Sequence, residues 1–537
     1  MSSHNYAMVA ESTELTVVAE YETPYNREKL YQSEADLEKA FIQQLEQQAY
    51  SYLSINSEEE LIQNLRTQLE ALNNYKFSES EWKSFFGTRI ANQNSGIEEK
   101  TAIIQEDHIQ LLTRDDGTTK NIYLLDKAVI HNNRLQVINQ YATEIGTHAN
   151  RYDVTILVNG LPLVHVELKK RGVDLKEAFN QINRYNRESF WAGSGLFEFV
   201  QIFVISNGTY TKYYSNTTRF THIKENEGSG SQKGKRTSNS YEFTSWWADS
   251  LNKPITDLID FCGTFFAKQT ILNILTKYCV FTSDRLLLVM RPYQIVATER
   301  ILERILIANT YKKYGTTDGG GYIWHTTGSG KTLTSFKTAQ LAARLPFIDK
   351  VLFVVDRKDL DYQTMKEYDK FEKGAANSNT NTAILKHQLE NPSSKIIITT
   401  IQKLSVLIKK NKNHTAYTQH IVIIFDECHR SQFGDMHTAI VKNFKNYYLF
   451  GFTGTPIFAV NSSSNFKVDL RTTEQAFGKK LHTYTIVDAI TDKNVLPFRI
   501  DYVSTMKEEE KIDDAKVKDI DREKALSSPE RIGNIVK

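Results

Sequence analysis

Three groups of residues have types and spacings that serve chemistry. The first is His325-Thr326-Thr327-Gly328-Ser329-Gly330-Lys331-Thr332, between the strand-like run Tyr322-Ile323-Trp324 and a helical stretch reaching about Arg344. Gly328 and Gly330 let the backbone wrap closely, so that its N–H groups and a helix N-terminus face phosphate oxygens. Lys331 brings a point charge to the β and γ phosphates, and the Thr332 hydroxyl suits a Mg²⁺ ion. His325 stands where the general pattern has its first glycine. The second group closes the apolar run 421–425 with Asp426-Glu427-Cys428-His429. Asp426 suits the ATP-bound metal, and Glu427 can orient or deprotonate an attacking water.

The third group lies in residues 151–170 (RYDVTILVNGLPLVHVELKK). Val154, Ile156 and Val158 alternate with Asp153, Thr155 and Leu157, and Val164, Val166 and Leu168 with His165, Glu167 and Lys169. The spacing predicts two strands around an Asn159-Gly160/Pro162 turn. If the apolar residues share a buried face, paired numbers sum to an even value, because a one-residue slip turns a strand over. A five-residue loop over 158–162 satisfies this, pairs Leu157 with Leu163 and keeps Pro162 out of the ladder. Asp153 then lies opposite Glu167, with Lys169 on the same polar face. Two carboxylates take Mg²⁺ through hard oxygens, and Lys169 can position water or offset charge building on a phosphate. The alternative is an amphipathic hairpin with a solvated face. Gln181 and Tyr185, four apart on the following helix, share one face beside this hairpin. His165 shares the face of Glu167 and is expected to be structural. Glu34 and Glu38, on the first helix, are further carboxylates for the same cleft.

The elements that must position these groups divide the chain. Residues 34–50 and 58–72 show helical spacing, strands begin near residue 100, 174–190 form a helix and 197–205 a strand. A polar Gly/Ser/Lys-rich stretch at 224–240 is a surface loop, with DNA contact as the sharper reading. From about residue 290, runs such as VLFVVD, KIIITT and YYLFGFTG alternate with helical segments, the pattern of βαβ units and a parallel sheet. The expected division is 1–260, 261–465 and 466–537.

With 537 residues and a net charge of +2, the chain has room for several domains and is no globally basic nucleic-acid coat; DNA contact requires a local groove. Cys262, Cys279 and Cys428 have no CxxC spacing, which argues against a disulfide scaffold or zinc site and fits a reducing cytoplasm. The N-terminus lacks the order of a signal peptide, and the longest apolar runs are too short to span a bilayer.

Several further segments fall in the order found in superfamily 2 helicases and translocases. Asp426-Glu427-Cys428-His429 resembles that family's DEAD/DEAH-type signature. Arg291-Pro292-Tyr293-Gln294 resembles its adenine-recognising element. Residues 353–363 and Thr399-Thr400-Ile401-Gln402 resemble its DNA-backbone elements, and Thr453-Gly454-Thr455-Pro456 its coupling motif. Asp153, Glu167 and Lys169 resemble the PD-(D/E)xK nuclease motif, and Gln181 with Tyr185 the Q-x-x-x-Y pair of its RecB-type branch. A nuclease hairpin upstream of such a motor resembles the restriction (R) subunit of type I restriction-modification enzymes. Phe203-Val204-Ile205-Ser206-Asn207-Gly208, Lys212-Tyr213-Tyr214 and the Trp324-His325 prefix add to that likeness.

The resemblance implies an α/β protein: a nuclease domain with a mixed sheet flanked by helices, a RecA-like lobe, and from about Leu496-Pro497-Phe498-Arg499 the start of a second lobe. Only about 80 residues follow Pro456. No Q-x-x-G-R-x-x-R element stands there, so on this reading one side of the γ-phosphate lacks its arginines and the chain binds nucleotide better than it turns it over. The resemblance also implies an ATP- and Mg²⁺-dependent endonuclease that translocates on double-stranded DNA with modification and specificity subunits. Two other readings stay open: a repair-type helicase–nuclease, and a translocase whose hairpin only binds DNA.

Overall fold

The computed structural model describes residues 6–8, 19–21, 32–143, 150–217, 241, 243–355, 366–371, 381–426, 433–458 and 472–492. All of them belong to the unit Met1–Asn494.

Helix α1 (Glu34–Gln47) begins at Ser33, whose hydroxyl accepts from the Asp36 amide at 3.2 Å while the Asp36 carboxylate accepts from the Ser33 amide at 3.3 Å. That reciprocal cap satisfies two otherwise orphaned N–H groups. Leu37, Phe41 and Leu45 form its buried stripe, each worth roughly 1.5–3 kcal/mol of apolar burial. Helix α2 (Glu58–Asn73) starts at Ser57, buries Leu61, Leu65 and Leu69, and ends on left-handed Asn74.

These helices belong to a mixed six-stranded sheet of β1 (Ser51–Tyr52), β2 (Leu135–Thr143), β3 (Asn150–Val158), β4 (Leu161–Leu168), β5 (Ile202–Ser206) and β6 (Thr211–Ser215), in spatial order β6-β5-β4-β3-β2-β1. Pairs β4–β5 and β1–β2 are parallel and the others antiparallel. A parallel pair needs a crossover, and α3 (Leu175–Glu188) supplies it between β4 and β5.

The β3–β4 hairpin corrects the expected turn. The loop is two residues, Asn159 (φ 51°) and Gly160 (φ 84°), not five. Both lie in the left-handed region that a tight hairpin of this twist requires. A Cβ on Gly160 would come within 2.6 Å of the Leu65 backbone, so helix packing also demands glycine. Pro162 is inside the strand, opposite Leu157. A register shift between Ile156 and Leu157 then restores the pairing of Ile156 with Val164 and Val154 with Val166. A bulge thus does the work assigned to a longer loop, and the register beyond it is the expected one. The solvated face of the alternative reading is absent, since both faces of β4 are buried.

The second sheet is parallel throughout: β7 (Gly321–His325), β8 (Lys350–Val355), β9 (Ile396–Thr400), β10 (His420–Asp426), β11 (Asn446–Thr453) and β12 (Lys480–Tyr484), in order β9-β8-β10-β11-β7-β12. Helices α4 (Pro292–Thr310), α5 (Lys331–Ala342), α6 (Ile401–Lys410) and α7 (Phe433–Asn443) cover it. Val422 and Ile424 join a cluster with Ile301 and Phe336, while Ile421, Ile423 and Phe425 join another with Leu404 and Ile440. Alternate residues therefore serve opposite faces, and both being covered makes the strand an unbroken apolar run.

Packing crosses both expected divisions. The core that includes α1 runs on through Leu258, Cys262 and Met290 to Ile295, past the division at 260. Strand β12 follows residue 465 and pairs with β7, at the edge of the same parallel sheet. The expected start of a second lobe near residue 496 lies outside the described residues, as do the 224–240 loop and residues 356–363.

Candidate functional site

Strands β3 and β4 stay paired as far as Val154 and Val166. One residue further, a side chain replaces the ladder: Asp153 Oδ2 accepts from the Leu168 amide at 2.8 Å. This turns the carboxylate toward β4, where Glu167 is fully buried. Lys169 Nζ lies 3.4 Å from Glu167 Oε1 and donates to the Leu168 carbonyl at 2.8 Å. Burial, then the Glu167 charge, raises Asp153 above the usual carboxylate range. Burial raises Glu167 likewise, against the pull of Lys169.

The hairpin thus brings Asp153, Glu167 and Lys169 together, deeper than an amphipathic face would place them. Among the described residues no group of three or more His, Cys, Asp or Glu forms a metal cage. Mg²⁺ keeps several waters and needs only one or two carboxylates, so this pair of adjacent hard-oxygen donors fits it.

Three neighbours complete this centre. Tyr185 is buried and donates to the Arg151 carbonyl at 2.8 Å, and Gln181 donates to the Tyr185 oxygen. Burial, then the Glu167 charge, raises the Tyr185 phenol, so its hydroxyl stays protonated. The pair therefore clamps β3 two residues before Asp153. His165 lies within the sheet, and burial pushes its imidazole down to about 4, leaving it neutral at pH 7. Of the α1 carboxylates, Glu34 accepts from the Lys170 amide at 3.3 Å and its charge reaches Glu167. Glu38 is taken up by the side-chain amides of Asn139 and Gln140.

The phosphate-loop centre is at the opposite type of place, past the C-terminal end of β7. Gly328 (φ 80°) and Gly330 (φ 75°) are left-handed, and α5 starts at Lys331. A Cβ at Gly330 would meet Gln294 Nε2 at 2.6 Å. Close approach is needed because Gln294 Nε2 donates to the Ser329 carbonyl at 3.1 Å and Tyr293 Oη to the same oxygen at 2.8 Å. Gln294 Oε1 accepts from the Arg291 amide at 2.9 Å, tying the element at the start of α4 to itself. The glycines give the loop a tightly held concave backbone at a helix N-terminus, a form that suits phosphate.

Across from it, Asp426 ends β10 in register with Phe452 of β11. Trp324 Nε1 donates to the Gly454 carbonyl at 3.1 Å, and a Cβ on Gly454 would lie 3.5 Å from Thr327 Oγ1. Thr453-Gly454-Thr455 therefore abuts the loop. A cavity of about 260 Å³ opens beside it, lined by Gln294, Tyr293, Arg291 and Gly328 together with Tyr213 and Phe243. Strand β6 of the mixed sheet thus helps to wall the space next to the phosphate loop.

Residues 31–222 match the family model of the type I restriction enzyme R protein N terminus, and residues 293–530 match that of the SWI2/SNF2 ATPase. The endonuclease subunit of the Escherichia coli enzyme EcoprrI is 49% identical over 298 residues, which cover 55% of this chain and 90% of that protein. The chain belongs to the endonuclease subunits of type I restriction enzymes. A Staphylococcus aureus member is 40% identical over 509 residues, 94% of this chain and 51% of that one. The chain thus spans about half the length of that relative. Among solved structures, a nuclease-deletion mutant of the Type ISP restriction-modification enzyme LlaGI, in complex with a DNA substrate mimic, aligns with a TM-score of 0.30 and 20% identity, over 38% of this chain and 20% of that one.

In the structure the residues singled out by sequence gather in two places. Asp153, Glu167, Lys169, Gln181 and Tyr185 meet around one hairpin, and Arg291, Tyr293, Gln294, Thr326, Thr327, Gly328, Ser329, Gly330, Lys331 and Thr332 around one loop. His325 departs from its expected part in nucleotide binding: its ring is fully buried behind the loop, with Nε2 2.9 Å from His482 Nδ1. Glu427 lies outside the described residues.

Sequence reasoning missed what backs the phosphate loop. The Thr326 amide donates to the Tyr484 carbonyl at 2.9 Å, and the Tyr484 ring stacks on Tyr293 with centroids 3.6 Å apart. Tyr484 Oη in turn donates to Asp492 Oδ2 at 2.8 Å. These residues come from β12 and beyond, more than 150 positions along the chain, and no linear motif joins them to the loop.

Proposed function

We propose that this chain carries the nuclease and the first motor lobe of an ATP-dependent type I restriction endonuclease. On this reading the enzyme moves along double-stranded DNA at the expense of ATP and cuts it with Mg²⁺. The observation that carries the proposal is the convergence of Asp153, Glu167 and Lys169 on one buried hairpin, in the same unit as a phosphate loop.

In the nuclease centre Asp153 and Glu167 would hold Mg²⁺, which supplies Lewis-acid stabilisation of the charge developing on the scissile phosphate. Lys169 positions a water or shares that stabilisation, and Tyr185 with Gln181 keeps β3 in place. In the motor centre Lys331 neutralises the β and γ phosphates, while Thr332 and Asp426 hold Mg²⁺ and Glu427 orients water. Arg291, Tyr293 and Gln294 present the neighbouring cavity to the base. His325 supports the loop from behind through His482.

Modification and specificity subunits would direct the subunit to unmodified DNA. The cytoplasm is the compartment in which DNA and ATP meet such a complex. Among the described residues no helix is long and apolar enough to cross a membrane.

The test is plasmid cleavage by the full-length subunit reconstituted with those partners. Lys169→Ala should abolish Mg²⁺-dependent cutting while ATP hydrolysis continues. Unchanged cutting would leave the hairpin as a DNA-binding element only.

A further inference from the structure

We propose that His165, supported by Thr155, is a positioning residue of the nuclease centre that fixes the orientation of the Glu167 carboxylate. The inference rests on the nuclease reading of Asp153, Glu167 and Lys169 and adds to it.

Three side chains form a line through the interior of the hairpin. Thr155 Oγ1 lies 3.2 Å from His165 Nδ1, and His165 Nε2 lies 3.3 Å from Glu167 Oε2. Thr155 is 1% exposed, and His165 and Glu167 are 0% exposed. The hydrogen-bond roles follow from what each group can do. When it holds a cation Glu167 is ionised and only accepts, so in that state Nε2 carries the hydrogen. Nδ1 is then a lone pair, and the Thr155 hydroxyl donates to it. Threonine thereby selects the tautomer that lets histidine donate to Glu167.

Rotation of the ring is blocked by aromatic edges. Tyr152 and Phe190 each lie 5.7 Å from the imidazole centroid, Tyr185 6.1 Å and Phe203 6.4 Å, all at steep angles. The two oxygens of Glu167 therefore have separate partners: Oε2 faces His165, and Oε1 faces Lys169 at 3.4 Å. With both ends occupied, the plane of the carboxylate is set before any ion arrives. Groups that orient a ligand in this way govern affinity for the ion without touching it. A histidine that merely filled core volume would give its place to an apolar side chain without consequence for the metal.

The experiment compares His165→Leu, His165→Gln, Thr155→Val and Glu167→Gln in the full-length subunit assembled with its modification and specificity subunits. Glutamine can place an N–H where Nε2 now lies; leucine cannot. Two readouts are taken: Mg²⁺ binding by calorimetric titration of the nucleotide-free subunit, and the Mg²⁺ dependence of plasmid cutting. ATP hydrolysis reports folding. His165→Leu is expected to weaken Mg²⁺ binding about 10–100-fold and to raise the Mg²⁺ needed for half-maximal cutting in parallel. His165→Gln should stay within about threefold of wild type, because the donor survives. Thr155→Val, nearly isosteric, should shift both readouts the same way by less, and it carries the test if His165→Leu fails to fold. Wild-type Mg²⁺ binding by His165→Leu, or by Thr155→Val where His165→Leu does not fold, would overturn the proposal. So would His165→Gln as impaired as His165→Leu. If Glu167→Gln cuts like wild type, the nuclease reading has failed. If Glu167→Gln is inactive while His165→Leu binds Mg²⁺ normally, only the positioning role has failed.

Discussion

The two sheets place their chemistry differently. In the mixed sheet the reactive side chains project from within paired strands, and a ladder position is given up so that Asp153 can reach the Leu168 amide. In the parallel sheet they stand past the C-terminal ends of strands, on the loop after β7 and at Asp426 where β10 stops. Strand-borne groups are fixed by register and can be buried, which suits two carboxylates that share an ion. Loop-borne groups reach outward, with backbone amides available to a large polyanion. The parallel-sheet site therefore needs bracing from elsewhere, and Tyr293, Gln294 and Tyr484 provide it.

Changes in the two regions should have separable effects. The largest is expected for Lys331→Ala, which removes the charge proposed to face the β and γ phosphates: ATP hydrolysis by the full-length complex should fall about 10²–10³-fold, and coupled cutting with it. Retained ATP-dependent cutting would remove the phosphate loop from the account. Tyr185→Phe removes the hydroxyl that holds the Arg151 carbonyl. Plasmid cutting should drop about 10-fold or more while ATP hydrolysis stays unchanged; an equal loss of both activities would mean a global rather than a local effect. Tyr484→Ala strips the stacking support from Tyr293 and should raise the KM for ATP roughly fivefold, in proportion to about 1 kcal/mol of aromatic stacking. An unchanged KM would show the brace to be dispensable. Asn159→Ala should alter neither chemistry. Its side chain bonds the Arg134 amide and the Leu124 carbonyl at the turn, so the change should cost about 1–3 kcal/mol of stability in denaturant titrations.

This contrast also explains what the sequence made legible. The phosphate loop could be found as a string because strand, loop and helix are contiguous, and because close approach to Gln294 requires glycine at 330 while a left-handed φ of 80° favours it at 328. The carboxylate centre could be found because alternation reports which residues share a face, and the register at Val154 and Val166 is the one that alternation demands. The turn was misjudged because Pro162 reads as a strand breaker, whereas the shift between Ile156 and Leu157 accommodates it. Burial of His165 and Glu167 was not legible, since it depends on α3 and on Phe190 and Phe203 closing over the hairpin. His482 and Tyr484 were invisible because parallel pairing joins segments far apart in the chain, and no local pattern announces which; the wall formed by Tyr213 was invisible because it arises from packing beside the phosphate loop, far from it in sequence.

The central claim is that one chain houses two chemically independent centres, coupled only through the complex. Its most direct test is a paired assay on the full-length subunit assembled with its partners, measuring plasmid cutting and ATP hydrolysis for Glu167→Gln and Lys331→Ala side by side. The account predicts that Glu167→Gln loses cutting but keeps ATP hydrolysis within about twofold, since it removes a proposed ion ligand that the motor does not use, whereas Lys331→Ala loses both. Wild-type cutting by Glu167→Gln, or ATP hydrolysis lost with it, would contradict the account.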